Sequence, residues 1–259
     1  MNRSAKKGIK GTWVASMFAT DYYVTTYRAK MDEPALVLKD TQSVVELLGV
    51  KPPSHILDWC GGYGRFSIPL ARLGFAVTNL DVSSVHTALA HKEARAAGVA
   101  LQVITADFRY TPKIKADAAI NLFTSGIGYL TKEDDLMALK SLYKALKPGA
   151  PFVLDTMSPG RIFGDFRPHS VEVSADGLWK RVQNRVYDPR RALLIDNEEL
   201  YMGESLKASF TSKLRLYQPH ELIELLEEAG FRVVDLYGDF VRSPWSVKSH
   251  RTVLLSERS

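Results

Sequence analysis

Apolar and polar positions along the chain follow two periods, and the pattern changes after residue 157. Short apolar runs at His55–Trp59, Phe75–Asp81, Leu101–Ala106, Ala116–Phe123 and Pro151–Asp155 have the length and composition of strands. Helical periods lie between them: Phe66–Leu73, Ser84–Ala97 closed by Gly98, and Thr131–Leu146 ahead of the stop at Lys147-Pro148-Gly149. In the last of these, Leu139, Leu142, Tyr143 and Leu146 share one face. Strand and helix in alternation predict a parallel sheet with helices on both faces. Upstream, Pro34–Leu48 reads as a helix whose buried side is Leu36, Leu38, Val44, Val45, Leu47 and Leu48.

From 158 to 216 the period shortens to two. Val171–Val173, Trp179–Val186, Leu193–Tyr201 and Leu206–Leu216 alternate apolar and polar residues, with turn signals at Ala175-Asp176-Gly177, Asp188-Pro189 and Gly203. This predicts an antiparallel sheet inserted into the α/β unit. The α/β pattern then resumes with a helix over Pro219–Ala229, a strand over Phe231–Tyr237 and a strand over Arg251–Ser256. The short connection makes that last pair antiparallel. At the other end, Trp13–Tyr27 is aromatic-rich. Helical spacing puts Phe18 and Tyr22 on one face, with Tyr23 and Tyr27 on a neighbouring one, as a packed helix or as a flap over a ligand.

Composition changes this picture little. The 259 residues suit one α/β domain plus an insertion, and 46% hydrophobic with 24% charged residues is ordinary for a globular protein. No run approaches a membrane span and the N-terminus has no apolar signal core. Cys60 is the single cysteine, which excludes an internal disulfide framework and fits a reducing cytoplasm. The net charge of +5 owes part of its excess to Arg3, Lys6, Lys7 and Lys10 in a leader expected to be frayed. No RNA-binding motif or aromatic–basic stripe accompanies it, so nucleic acid is not the expected partner. No His/Cys/Asp cluster has metal-ligand spacing.

The candidate chemistry sits where the strands end. Ile56-Leu57-Asp58-Trp59-Cys60-Gly61-Gly62-Tyr63-Gly64-Arg65 reads as strand, tight glycine turn and helix. Such a turn lets backbone approach a ligand at positive φ and aims helix N–H groups at it. Asp58, Asp81, Asp107 and Asn121 lie at or near the ends of successive strands, where open α/β sheets bind ligands. The first turn lacks the spaced G-x-G-x-x-G form of nicotinamide sites, because Arg65, Phe66 and Ser67 follow Gly64.

With those residues placed, the chain resembles the class I S-adenosylmethionine-dependent methyltransferases from Trp13 to Glu257. The resemblance implies a Rossmann-like α/β fold, with a seven-stranded sheet, helices on both faces and an antiparallel β lid. Asp58 to Gly64 matches the family's first motif, with Cys60 standing where many members have their first glycine. The resemblance implies that Asp58, Cys60, Gly61, Gly62 and Gly64 approach the methionine end of the cofactor. It implies that Asp81 takes the ribose hydroxyls with Val82 beside the adenine, and that Asp107 accepts from the adenine amine with Phe108 covering the ring. Asn121 and Leu122 would lie along the methionine. These types agree with the chemistry: a diol suits a carboxylate, an amine suits an acceptor, and a ring face suits an apolar cover.

A closer similarity is to small-molecule members such as amino-sugar N-methyltransferases, through Asn121–Ser125 and Gly128-Tyr129-Leu130, with Gly126-Ile127 adding a residue to the loop. It implies a basic leader and aromatic cap over 1–50, a cofactor-binding core over 51–157 and 217–259, and a lid over 158–216. S-adenosylmethionine would be the cofactor and S-adenosylhomocysteine its product. The acceptor would be a nitrogen or oxygen of a small metabolite, and the protein a cytoplasmic monomer or homodimer. A hydroxyl acceptor needs a general base, for which His169 and Tyr129 are the candidates. Tyr22, Tyr27, Phe123 and Arg167 are candidate substrate contacts, whereas Arg161 reads better as a solvated residue. A macromolecular acceptor and a non-catalytic cofactor-binding regulator remain open.

Overall fold

The structure is a computed structural model that describes residues 13–18, 24, 28, 32–174 and 177–259. Elements follow in order as α1 (Trp13–Phe18), α2 (Pro34–Leu48), β1 (His55–Trp59), α3 (Ser67–Arg72), β2 (Ala76–Asp81), α4 (Ser84–Ala96), β3 (Gln102–Thr105) and β4 (Ala118–Asn121). Next come α5 (Lys132–Ala145), β5 (Pro151–Met157), α6 (Pro159–Gly164), β6 (His169–Val173), β7 (Trp179–Asp188), β8 (Leu193–Met202) and β9 (Ser205–Arg215). The chain finishes with α7 (Pro219–Glu228), β10 (Phe231–Tyr237) and β11 (Arg251–Arg258).

Seven strands form one sheet in the order β10-β11-β5-β4-β1-β2-β3, parallel except for β11, which runs against both its neighbours. Its two faces carry two apolar clusters. Trp59, Phe108, Leu139, Leu142, Phe152 and Leu226 belong to one. Val44, Leu47, Ile56, Leu70, Ile120 and Val153 belong to the other. Leu57 and Ile56 point to opposite faces, as the two-residue strand period requires. Both are fully buried, which explains why β1 reads as a continuous apolar run. A second sheet, β6-β7-β8-β9, is wholly antiparallel and occupies the expected insertion.

The α2 helix starts where Glu33 accepts from the N–H groups of Ala35 and Leu36, with Pro34 just inside, and ends at left-handed Gly49. Its buried stripe is Val37, Thr41, Val44, Leu47 and Leu48. Leu36 and Leu38 flank that stripe and stay exposed, contrary to the sequence expectation, because spacings of three and four from Val44 select Val37 and Thr41. The β4 strand stops at Asn121 rather than Phe123, since Phe123 and Thr124 both take positive φ, 60° and 58°. The expected aromatic helix begins over Trp13–Phe18, whereas Tyr22, Tyr23 and Tyr27 lie outside the described residues.

Candidate active site

The glycine turn after β1 is built from behind. Asp58 is buried and accepts from the Ser67 hydroxyl at 2.6 Å, and Ser67 in turn accepts from the Asn79 amide at 3.0 Å. A Cβ on Gly61 would lie 2.6 Å from both the Asp58 carboxylate and the Asn79 amide, so only glycine fits there. Burial pushes the Asp58 carboxyl up to about 7, against the Ser67 hydrogen bond that lowers it. Asp58 therefore braces the turn; its contacts are with the protein. Cys60 turns the chain at φ 64°, a left-handed conformation that costs a non-glycine residue some strain. A Cβ on Gly126, in the loop after β4, would lie 2.8 Å from the Cys60 sulfur. The two departures from the family pattern thus meet, and the absent side chain at 126 makes room for the thiol at 60. Burial and the surrounding carboxylates push that thiol well up, which favours the thiol over the thiolate.

At the end of β2, the Asp81 carboxylate takes the Gly62 N–H at 3.0 Å on one oxygen and the Ser83 N–H at 2.8 Å on the other. Each oxygen has a second lone pair, so the carboxylate can still accept two hydrogen bonds side by side. That suits the vicinal hydroxyls of a ribose. Burial raises Asp81, an effect His86 opposes, while burial lowers His86. Ser83 then caps α4 through the His86 N–H and donates its hydroxyl to the Phe18 carbonyl, which ties α1 to the same corner. Phe18 stacks on Tyr129 with ring centroids 6.1 Å apart and meets His86 edge-on at 5.5 Å. Val82 packs, half-buried, beside the first apolar cluster.

Asp107 lies after β3 and already holds a guanidinium. Arg109 reaches it through Nε at 3.1 Å and through Nη2 at 2.7 Å, and reaches Asp134 through Nη1 at 2.7 Å. An adenine amine would share this carboxylate with Arg109. Phe108 is buried against Trp59, edge-on at 5.5 Å, and near Gly126. Asn121 donates to the Trp59 carbonyl at 2.6 Å, which leaves its buried Oδ1 without a hydrogen-bond partner. Leu122 points the other way, into the opposite apolar cluster.

The acceptor candidates fare unevenly. Phe123 has its ring beside the guanidiniums of Arg65, at 4.0 Å, and Arg251, at 3.8 Å, and its N–H donates to Asp155. His169 lies on β6, the edge of the small sheet farthest from β9, and pairs with Asn184 while exposed. Three strand spacings of about 4.8 Å separate β6 from β9, the strand that meets the loop after β4. Arg167 is likewise exposed and paired with Asp165. Tyr22 and Tyr27 lie outside the described residues.

Sequence reading missed a buried pair behind Tyr129. Asp135 accepts from the Tyr217 hydroxyl at 2.7 Å and the Gly128 N–H at 3.0 Å, and burial pushes it up to about 7. It also missed the Asp155–Arg251 ion pair, where burial pushes Asp155 up to about 6. No local motif announces either, since the partners lie 82 and 96 residues apart. Among the described residues, no group of His, Cys, Asp or Glu could hold a metal ion, and no helix is long and apolar enough to cross a membrane.

Residues 56–149, which span β1 to the end of α5, match the family model described as a methyltransferase domain. The chain carries a methyltransferase domain. The methyltransferase is 25% identical to a glycine/sarcosine N-methyltransferase from Halorhodospira halochloris over 85% of this chain and 83% of the relative. Its fold is that of an S-adenosylmethionine-dependent methyltransferase from Clostridium acetobutylicum, at TM-score 0.78 and 15% identity, covering 92% and 98% of the two chains. The sugar N-methyltransferase KedS8 from Streptoalloteichus superposes at TM-score 0.68 and 19% identity, covering 91% and 92%. These likenesses extend through the inserted sheet, well beyond the matched domain.

Proposed function

We propose that this S-adenosylmethionine-dependent methyltransferase transfers its methyl group to a nitrogen or oxygen of a small metabolite. One observation carries the reading: a four-stranded sheet is inserted between β5 and α7, and its β9 strand joins the loop after β4 through the Arg215 N–H and Gly128 carbonyl at 2.8 Å. That cover stands over the carboxyl ends of the strands, where an open α/β sheet holds its ligand. It favours an acceptor small enough to be enclosed. The N-methylating relatives support nitrogen over oxygen.

When bound, S-adenosylmethionine supplies an electrophilic methyl group on a sulfonium. The chain's own residues do the positioning. Asp81 accepts from the ribose hydroxyls, the Cys60–Gly64 turn lets the methionine end approach the backbone closely, and Asp107 shares itself between Arg109 and the adenine amine. The acceptor sits against Tyr129 and the Phe123–Thr124 turn, shielded from water by the inserted sheet. Holding the two reactants in line supplies much of the acceleration such a transfer needs. A neutral amine then needs orientation rather than a strong base.

The test is the release of S-adenosylhomocysteine during incubation with separate pools of small amines, small hydroxyl compounds and RNA. Turnover with a small amine supports the reading. Turnover with RNA alone, with binding that weakens steeply in salt, would overturn it in favour of a macromolecular acceptor.

A further inference from the structure

One face of the inserted sheet is polar where it is buried. Strand β8 buries Leu194, Asp196, Glu198 and Leu200, every second residue, so these four share a face. The register extends that face into rows: Tyr187–Leu194–Leu214, Arg185–Asp196–Ser212, Gln183–Glu198–Phe210 and Arg181–Leu200–Ala208. The first row seats on the core. Tyr187 packs edge-on against Phe163 of α6 at 4.9 Å, and the Leu214 side chain lies 3.1 Å from where a Cβ on Gly128 would be. The face therefore looks toward the loops after β4 and β5. The next two rows begin about 7 Å further along the strands.

A sheet that served only as packing would bury apolar side chains here. Instead Gln183, Asp196 and Glu198 are each less than a tenth exposed. Asp196 accepts from Gln183 at 2.7 Å and Arg185 at 2.9 Å on one oxygen, and its buried Oδ1 has no hydrogen-bond partner. Glu198 faces Arg181 at 3.6 Å, an ion pair too long for a hydrogen bond, and its buried Oε2 has no hydrogen-bond partner either. Among the described residues, the arginines Arg181 and Arg185 stand against the carboxylates Glu172, Asp196 and Glu198, so acids outnumber arginines around the two orphaned oxygens. Buried carboxylate oxygens without donors are costly, and a ligand that brings donors and a positive charge removes the cost.

We propose that Asp196 and Glu198 form a subsite for an ammonium group of the methyl acceptor, held apart from the atom that is methylated. The inference rests on the methyltransferase reading above and narrows it to acceptors that carry a basic amine. Burial pushes Glu198 up to about 7, with Arg181 opposing the rise and Asp196 adding to it, as expected of a buried carboxylate whose arginine stands too far for a hydrogen bond. A bound ammonium would pull it back down.

The test uses the full chain saturated with S-adenosylhomocysteine and three probe pairs: tyramine and ethylphenol, glucosamine and glucose, putrescine and butanediol. Binding is read by calorimetry. In at least one pair the amine should bind ten-fold or more tighter than its uncharged counterpart. That preference should disappear in both Glu198→Gln and Asp196→Asn, with S-adenosylhomocysteine binding unchanged in each. Glu198→Gln should also raise the urea midpoint of the ligand-free protein, because it removes an under-compensated buried acid. No preference for the amine in any pair, or a preference that survives both substitutions, would overturn the subsite. Failure of the wild type to bind S-adenosylhomocysteine would instead sink the methyltransferase reading beneath it.

Discussion

Single residues at the strand ends fall into two groups, those that face a ligand and those that brace the ones that do. Asp81 keeps free lone pairs beside an open turn, whereas Asp58 is spent on Ser67 and stands directly behind Gly61. Gly61→Ala forces a Cβ into the Asp58 carboxylate, and overpacking of this kind costs about 1–3 kcal/mol. A lower urea midpoint with weaker S-adenosylhomocysteine binding is the expected result, and unchanged denaturation would refute the bracing role. The sequence made both acids legible because each closes a strand. It could not tell them apart, because the deciding contacts come from Ser67 and Asn79, which carry no motif. His169, a general-base candidate from the sequence, begins the outer edge strand of the small sheet and is exposed there.

The loops after β1 and β4 behave as one element. Cys60 and Gly126 are matched in volume, with the sulfur 2.8 Å from where a Cβ at 126 would stand. Gly126→Ala should therefore cost stability twice, through this contact and through its φ of 86°. Adding Cys60→Gly relieves only the contact. A double-mutant cycle in urea should return a coupling of about 0.5–3 kcal/mol, and strict additivity would contradict the account. Strands β1, β2, β5 and β10 and helices α2, α4, α5 and α7 were legible because period and caps agree, as at α2 and α5, whereas α6 fell in the segment that read only as sheet. The end of β4 was not, since Phe123 and Thr124 look like strand residues. Their left-handed turn is held from afar by Asp155, which accepts the Phe123 N–H on its side chain and the Thr124 N–H on its backbone.

Over the whole molecule, buried acids dominate the response to pH, with His55 and His86, both lowered by burial, pulling the other way. Burial raises Asp58, Asp135 and Glu198 to about 7 and Asp155 to about 6. Each keeps its proton in the native state after the unfolded chain has released its own, near pH 4. Unfolding then releases protons between about pH 4 and pH 7, so stability falls as pH rises through that window. Each unit of such a shift is worth about 1.4 kcal/mol. The urea midpoint of the ligand-free protein should drop from about pH 5 to about pH 7.5, and Asp135→Asn, whose amide oxygen can still accept from Tyr217 and Gly128, should flatten the drop. A midpoint that rose over this range would contradict it. The fold class was legible from alternation alone. The polarity of the inserted sheet's buried face was not, because Leu-Leu-Ile-Asp-Asn-Glu-Glu-Leu puts apolar and acidic residues on both possible faces.

The central claim is that the carboxyl ends of the strands hold S-adenosylmethionine through Asp81. Calorimetric titration of the cofactor into wild type and Asp81→Ala tests it most directly. Wild type should bind at micromolar affinity, roughly −8 kcal/mol, and Asp81→Ala should lose about 1.5–3 kcal/mol of that with the charged acceptor gone. No heat from the wild type, or equal affinity in the two proteins, would contradict the account.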